Sequence, residues 1–236
     1  MTVDNGKSDL VYHGRRAQRA DSRLRRKAIL EATLRLIVKE GIRGIRHRAV
    51  AREANVPLAA TTYYFKDLND LISDSFTYFV EQGLESTRQL QEESFSAARN
   101  LSSQERASSS SHKLLVQQLT RFILTHVRNQ AEDRDRRLVE LAFRNEALRN
   151  EQLTRAVRMS NHARESLIQE FFHLLGVVDP EAAAQIAHGT ILKLEYEILN
   201  GSIALDSPLL ERTVTMMVRG LIPATATQVA ETAAYG

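Results

Sequence analysis

Residues 29–72, ILEATLRLIVKEGIRGIRHRAVAREANVPLAATTYYFKDLNDLI, decide how the chain is read. Ile29, Ala32 and Leu36 form one apolar stripe at helical spacing, and Leu30, Leu34 and Ile37 form the next. Together they make a wide core-facing surface, which predicts a first helix from Ser22, as N-cap, to Glu40. Gly41 supplies the stop. A short helix is expected from Arg46 to Ala54, with Val50, Ala51 and Ala54 inward. Asn55 tolerates the left-handed conformation that closes a helix. Pro57 suits the first turn of the next, where its missing N–H costs nothing. That next helix is expected at Leu58–Tyr64. Two short helices separated by three or four residues are the signature of a helix-turn-helix.

Outward from this stretch the pattern stays helical. Gly and Pro are few, 10 and 4 among 236 residues, and strand-like alternation is nearly missing. The chain therefore reads as all-α. A long helix is expected from Asp67 to about Gln91, and at least part of the Ser-rich residues 94–111 reads as a mobile loop. Leu115, Leu119, Phe122 and His126 then share a face. Leu138, Leu141 and Ala142 share another, and Val157, Arg164, Ile168, Phe171 and Leu175 a third, before Gly176. Two last helices are expected after Pro180 and from Asp206-Ser207-Pro208. The expected organisation is a flexible basic arm (1–21), a helix-turn-helix domain (22–66), a larger helical domain (67–222) and a frayed end (223–236).

Charge is divided unevenly. Residues 1–70 hold 15 Lys and Arg against 8 Asp and Glu; the remainder holds 17 against 21. A net +7 on the N-terminal end suits a polyanion there. Mean hydropathy is −0.31, and no apolar run reaches 18 residues, so no membrane span is expected. The Arg-rich start lacks the apolar segment of a secretory signal. Cysteine is absent, which excludes disulfides and thiolate chemistry and suits a cytoplasmic chain. The seven His residues form no HxxxH or HExxH pair, and neither a phosphate-binding Gly-rich loop nor a nucleophile elbow occurs. No metal, cofactor or enzymatic activity is predicted. Glu195 and Glu197 flank Tyr196, but successive helical positions point apart, so no cooperating carboxylate pair is expected.

The stretch 29–72 resembles the N-terminal domain of TetR-family transcriptional regulators. The matching pieces are Ile29, Ala32 and Gly41, then Val50-Ala51, Val56, Tyr63, Phe65 and Leu71. The resemblance covers about 45 of 236 residues. It implies an N-terminal three-helix domain with a helix-turn-helix, followed by a larger helical ligand-binding and dimerisation domain.

The helix Leu58–Tyr64 would enter the major groove of double-stranded DNA. With Thr61 and Phe65 inward, Leu58, Ala59, Thr62 and Tyr63 point outward. Ala59 and Ala60 suit thymine methyls, Thr62 a base or phosphate, and Tyr63 and Tyr64 the backbone. Arg48 matches a position that reaches a base in some relatives. Arg46 and His47 open its helix, where phosphate is favoured. Arg15, Arg16 and Arg19 are expected as a flexible arm toward an adjacent groove. Three positions depart from the family pattern: Asn55 replaces a usual Gly, Thr62 a usual Tyr, and Leu68 a usual phosphate-contacting Lys, for which Lys66 is the expected substitute.

The resemblance further implies a homodimer on a two-fold-symmetric operator, released by a small, mostly apolar effector. Ala187, Thr190, Leu194 and Ile198 with Leu210, Val214, Met217 and Leu221 are the expected dimer stripes, and the alternative is that they fill the core of one chain. Phe122, His126, Phe143, Met159, Phe171 and Tyr196 are the expected pocket lining. The competing readings are a DNA-binding regulator without a small ligand, and a helical enzyme or scaffold with a vestigial helix-turn-helix.

Overall fold

The computed structural model describes residues 12–15, 19–99 and 109–222, and in 84–99 and 109–111 only the backbone. Every regular element among them is helical: α1 Ala20–Glu40, α2 His47–Glu53, α3 Leu58–Tyr64, α4 Leu68–Arg99, α5 Ser109–Glu132, α6 Arg134–Ala147, α7 Glu151–Leu174, α8 Pro180–Leu199 and α9 Pro208–Leu221, with a 3-10 turn at Ile42–Gly44.

Two boundaries differ from expectation. α1 begins at Ala20 with Arg19 at its N-cap, and no side chain caps it. Ser22 lies one turn inside, its hydroxyl paired instead with the Tyr64 hydroxyl at 2.7 Å. In the Ser-rich segment, 94–99 continue α4 and 109–111 open α5. Ala97, Ala98 and Arg99 are strong helix formers, and serine is well placed in a first turn. The rest of that segment, 100–108, lies outside the described residues, as do Arg16 and 223–236.

The chain divides into two compact units. One combines residues up to Thr87 with Leu138–Asn161; the other combines Arg88–Arg137 with the residues from His162 onward. The boundary expected at 66/67 thus falls inside the first unit.

The first unit has a single core. Ile29, Leu30, Leu36 and Ile37 of α1 meet Ile45, Val50, Phe65, Leu71, Phe76 and Phe79, and α6 and α7 add Phe143 and Leu153. Phe143 is fully buried, its ring 4.9 Å from that of Phe76 and 6.2 Å from that of Phe79. On α6 the deepest face is Val139, Phe143 and Ala147, one position along from the stripe expected at Leu138, Leu141 and Ala142. Burying these aromatic and branched side chains is worth roughly 1.5–3 kcal/mol each. That fixes the three short N-terminal elements, which are too short to be stable alone.

In the second unit, Val116, Leu124 and Val127 of α5 pack with Leu194 of α8 and Leu210, Val214 and Val218 of α9. Phe172 packs with Ala183, Ala184 and Ala187 nearby. Its buried charges are compensated. The Glu195 carboxylate accepts from Arg137 at 3.2 Å and lies 3.7 Å from His126 Nε2. Glu197 pairs with Lys193 instead, so the two carboxylates that flank Tyr196 do point apart.

Candidate nucleic-acid interface

The corner from α1 to α3 is built residue by residue. Gly41 takes φ 72° and donates its N–H to the Ile37 carbonyl, ending α1. Ile42 and Ile45 bury on either side of the 3-10 turn. After α2, Asn55 adopts φ 53°. Its N–H reaches the Arg52 carbonyl at 3.2 Å, and the Val56 N–H reaches the Ala51 carbonyl at 2.9 Å. These paired bonds satisfy the free carbonyls at the end of α2 as a Schellman motif. Asn therefore fills the position where Gly is usual, without breaking the turn. Pro57 then caps α3. On the outside of the corner, Glu53 accepts from Arg35 at 2.8 Å and Lys39 at 3.2 Å. Those two bonds, Arg35's first, hold its carboxyl below the usual range.

On α3, Thr61 and Phe65 are fully buried. Leu58, Ala59, Thr62 and Tyr63 are exposed, Tyr63 by 53%. These four expected contact residues therefore share one outward face, with exposed Arg48 and Lys66 on the neighbouring elements.

Three expected positions, Tyr64, Ala60 and Arg46, read differently. Tyr64 is only 4% exposed and belongs to the core, because it follows Thr61 by three residues and so shares its inward side. Ala60 is half-buried and packs on the same core. Arg46 turns its guanidinium onto the carbonyls of Arg43 and Ile45, at 2.8 and 2.7 Å, and so is engaged in the turn. Leu68, at the position where Lys is usual, packs partly into the core. His47 is half-buried; burial pushes its imidazole below the ordinary value, and Asp67 partly offsets this.

The expected arm is not free where it is described. The N–H groups of His13 and Gly14 donate to the two carboxylate oxygens of Asp74 at 2.6 and 2.9 Å. The Arg15 N–H donates to the Tyr64 carbonyl at 2.7 Å, and its guanidinium lies 4.4 Å over the Tyr63 ring. Asp74 is fully buried and ion-paired with Arg26. Sequence reading missed this segment. The signal was an acid inside the apolar run Leu71–Val80.

No protein-family model and no curated protein matches the chain. Solved structures do. A TetR transcription regulator from Haloarcula marismortui superposes with a TM-score of 0.65 at 15% identity, over 85% of this chain and 100% of that one. NalD, the secondary repressor of the MexAB-OprM multidrug efflux pump in Pseudomonas aeruginosa, gives 0.58 at 21% identity, over 86% and 98%. The multidrug binding protein EbrR, complexed with imidazole, gives 0.53 at 24% identity, over 86% and 98%.

The chain has the TetR fold.

The six residues expected at the effector pocket are divided between the two units. Phe143 belongs to the first unit's core. In the second unit Phe122 and Tyr196 are exposed, and Phe171 and His126 are half-buried; Met159, in the first, is exposed. A groove of about 710 Å³ lies between α5 and α9, lined by Lys113, Thr120, Arg121, Arg128 and Arg219 among others, and by none of the six.

Ala187, Leu194, Leu210 and Val214 are buried within the one chain, and Thr190, Ile198, Met217 and Leu221 are half-buried. The four buried residues belong to the second unit's core clusters. Large apolar side chains exposed on the last two helices are Ile186, Tyr196, Leu209 and Met216, by 53%, 53%, 47% and 78%.

Proposed function

We propose that this chain is a sequence-specific, DNA-binding transcriptional regulator that works as a homodimer. The observation that carries the reading is the outward face of α3. Leu58, Ala59, Thr62 and Tyr63 stand clear of a helix whose other side is locked by Thr61, Tyr64 and Phe65. A helix presented in this way fits the major groove, and Tyr63, Thr62, Arg48, Lys66 and His47 offer donors to bases and phosphates. The net +7 of residues 1–70 supplies attraction to the backbone at the same end.

The second copy covers Ile186, Leu209 and Met216, large apolar side chains exposed on the last two helices. One seven-residue helix reads few bases; two linked readers gain avidity and select a two-fold-symmetric site. In this reading the protein is a repressor, and a small, mostly apolar effector releases it. NalD, similar in fold, is a repressor, and EbrR is a multidrug binding protein. The effector acts by fitting one spacing of the two reading heads better than the other; a tenfold change in DNA affinity requires about 1.4 kcal/mol of discrimination.

The test is selection of bound fragments from the source genome. The best fragment is then titrated against its scrambled sequence at two salt concentrations. A two-fold-symmetric site bound roughly 10³-fold more tightly than scrambled DNA supports the regulator. Equal, steeply salt-dependent binding to both overturns sequence specificity and leaves electrostatic attraction alone.

A further inference from the structure

We propose that Arg15 is a contact to the DNA backbone, and that Gly14 and the buried Asp74 hold it in place. The strap Tyr12–Arg15 is then a fixed part of the interface. The inference rests on the DNA-binding reading above and adds to it a contact that α3 does not supply.

A carboxylate in the interior is costly unless its lone pairs are met. Asp74 is fully buried, and Arg26 from α1 and two N–H groups of the strap meet it. The strap is thus bound to the core through a charge, and its donors are backbone groups, which cannot rotate away. Tyr12 fixes the far end: its hydroxyl donates to Glu81, and its ring lies 4.5 Å from the Arg26 guanidinium. The near end is fixed by the Arg15 N–H on the Tyr64 carbonyl, one of the free acceptors at the end of α3.

Gly14 sets the approach. A Cβ there would stand 2.8 Å from Asp74 Oδ2, from Phe65 Cδ1 and from the Tyr64 carbonyl oxygen. The carbonyl is helix backbone and the Phe65 ring is wholly buried, so neither yields cheaply. Only glycine lets the strap come this close.

Arg15 is what the strap delivers. Its guanidinium lies over the ring of Tyr63, the most exposed aromatic of the reading face. Stacking orients the planar group and leaves its edge N–H donors free for an anion. At the rim of a helix that enters the major groove, the anion of matching geometry is a phosphodiester oxygen pair.

The test compares full-length wild type with Arg15→Ala, Gly14→Ala, the double variant and Tyr63→Ala. The probe is a 30-base-pair duplex of arbitrary sequence, titrated between 50 and 200 mM salt. Arg15→Ala is expected to weaken binding about tenfold and to reduce the slope of log affinity on log salt by about 0.9, the signature of one lost phosphate contact. Gly14→Ala removes no charge, yet should reproduce both changes, and the double variant should be no worse than either single one. Wild-type slope in Gly14→Ala, or additive losses in the double variant, would overturn the positioning role. A wild-type slope in Arg15→Ala would overturn the contact. Should Gly14→Ala fail to fold, the slope of Arg15→Ala decides. Absence of DNA binding by the wild type sinks the DNA reading itself; loss in Tyr63→Ala alone sinks only the strap.

Discussion

Tyr63 and Tyr64 meet edge to face with ring centroids 5.0 Å apart, yet one is 53% exposed and the other 4%. Adjacent positions on a helix point about 100° apart, so one step along α3 separates interface from core. Tyr63→Ala is expected to weaken DNA binding about tenfold while leaving the unfolding midpoint near that of wild type. Tyr64→Ala is expected to cost about 3 kcal/mol through the cavity it leaves, and Tyr64→Phe about 1 kcal/mol through its bond to Ser22. Urea unfolding with fluorescence anisotropy on labelled DNA separates the two. Equal stability losses in both alanine variants would mean that both rings are core.

This pair also marks how far the sequence was legible. The helix-turn-helix could be read because each boundary carries local chemistry: Gly41, Asn55 and Pro57 act within a few residues of themselves. Thr61 and Phe65 mark the inward side of α3, and Tyr64, three residues from Thr61, shares it although the aromatic pair reads as outward. In α8 and α9, periodicity found stripes that are indeed the less exposed ones. Periodicity reports that a face is covered, and not by what, so Leu194 and Leu210 were expected at a dimer contact and lie in the chain's own core. The strap was hidden for another reason: its bonds to Asp74 join residues 60 and 61 apart, and nothing local announces them.

Asn55 sits at φ 53°, and the bonds that close α2 depend on it. Asn55→Gly is expected to change stability by less than about 0.5 kcal/mol, since Gly enters this conformation without a Cβ penalty. Asn55→Val should lose roughly 1–2 kcal/mol, because a branched side chain resists the left-handed region. Denaturant unfolding of the two variants checks the order. A Val variant as stable as wild type would show that the turn has another conformation in solution.

The outward residues of α8 and α9 make a separable prediction. Met216→Asp combined with Ile186→Asp puts two charges on surface already exposed in the single chain. The expected product in sedimentation is a folded monomer with wild-type helical content. Leu194→Asp instead places a charge at a site 1% exposed and should destabilise the fold outright. A dimer that survives the double substitution would move the interface elsewhere. Operator affinity should fall with dimerisation, since avidity is lost even though both reading heads stay intact.

His47 gives a pH dependence whose sign follows from its surroundings. Burial lowers its pKa below the ordinary value of 6.5, and Asp67 offsets only part of that. Well above pH 6.5 the ring is neutral in both folded and unfolded chains, and its burial carries no pH-dependent cost. As pH falls through 6.5, the unfolded chain takes up a proton and the native chain does not, so stability declines until the native ring titrates. The His47 ring resonance, followed by NMR, should therefore titrate with a midpoint below 6.5. A phosphate at the start of α2 favours the imidazolium, so duplex DNA should move that midpoint upward and bind more tightly at pH 6 than at pH 7.5. His47→Gln should lose most of that pH dependence. If the midpoint stays put when DNA is added, His47 is a core histidine of the corner, and the phosphate contacts at this end of the interface belong to Arg48 and Lys66.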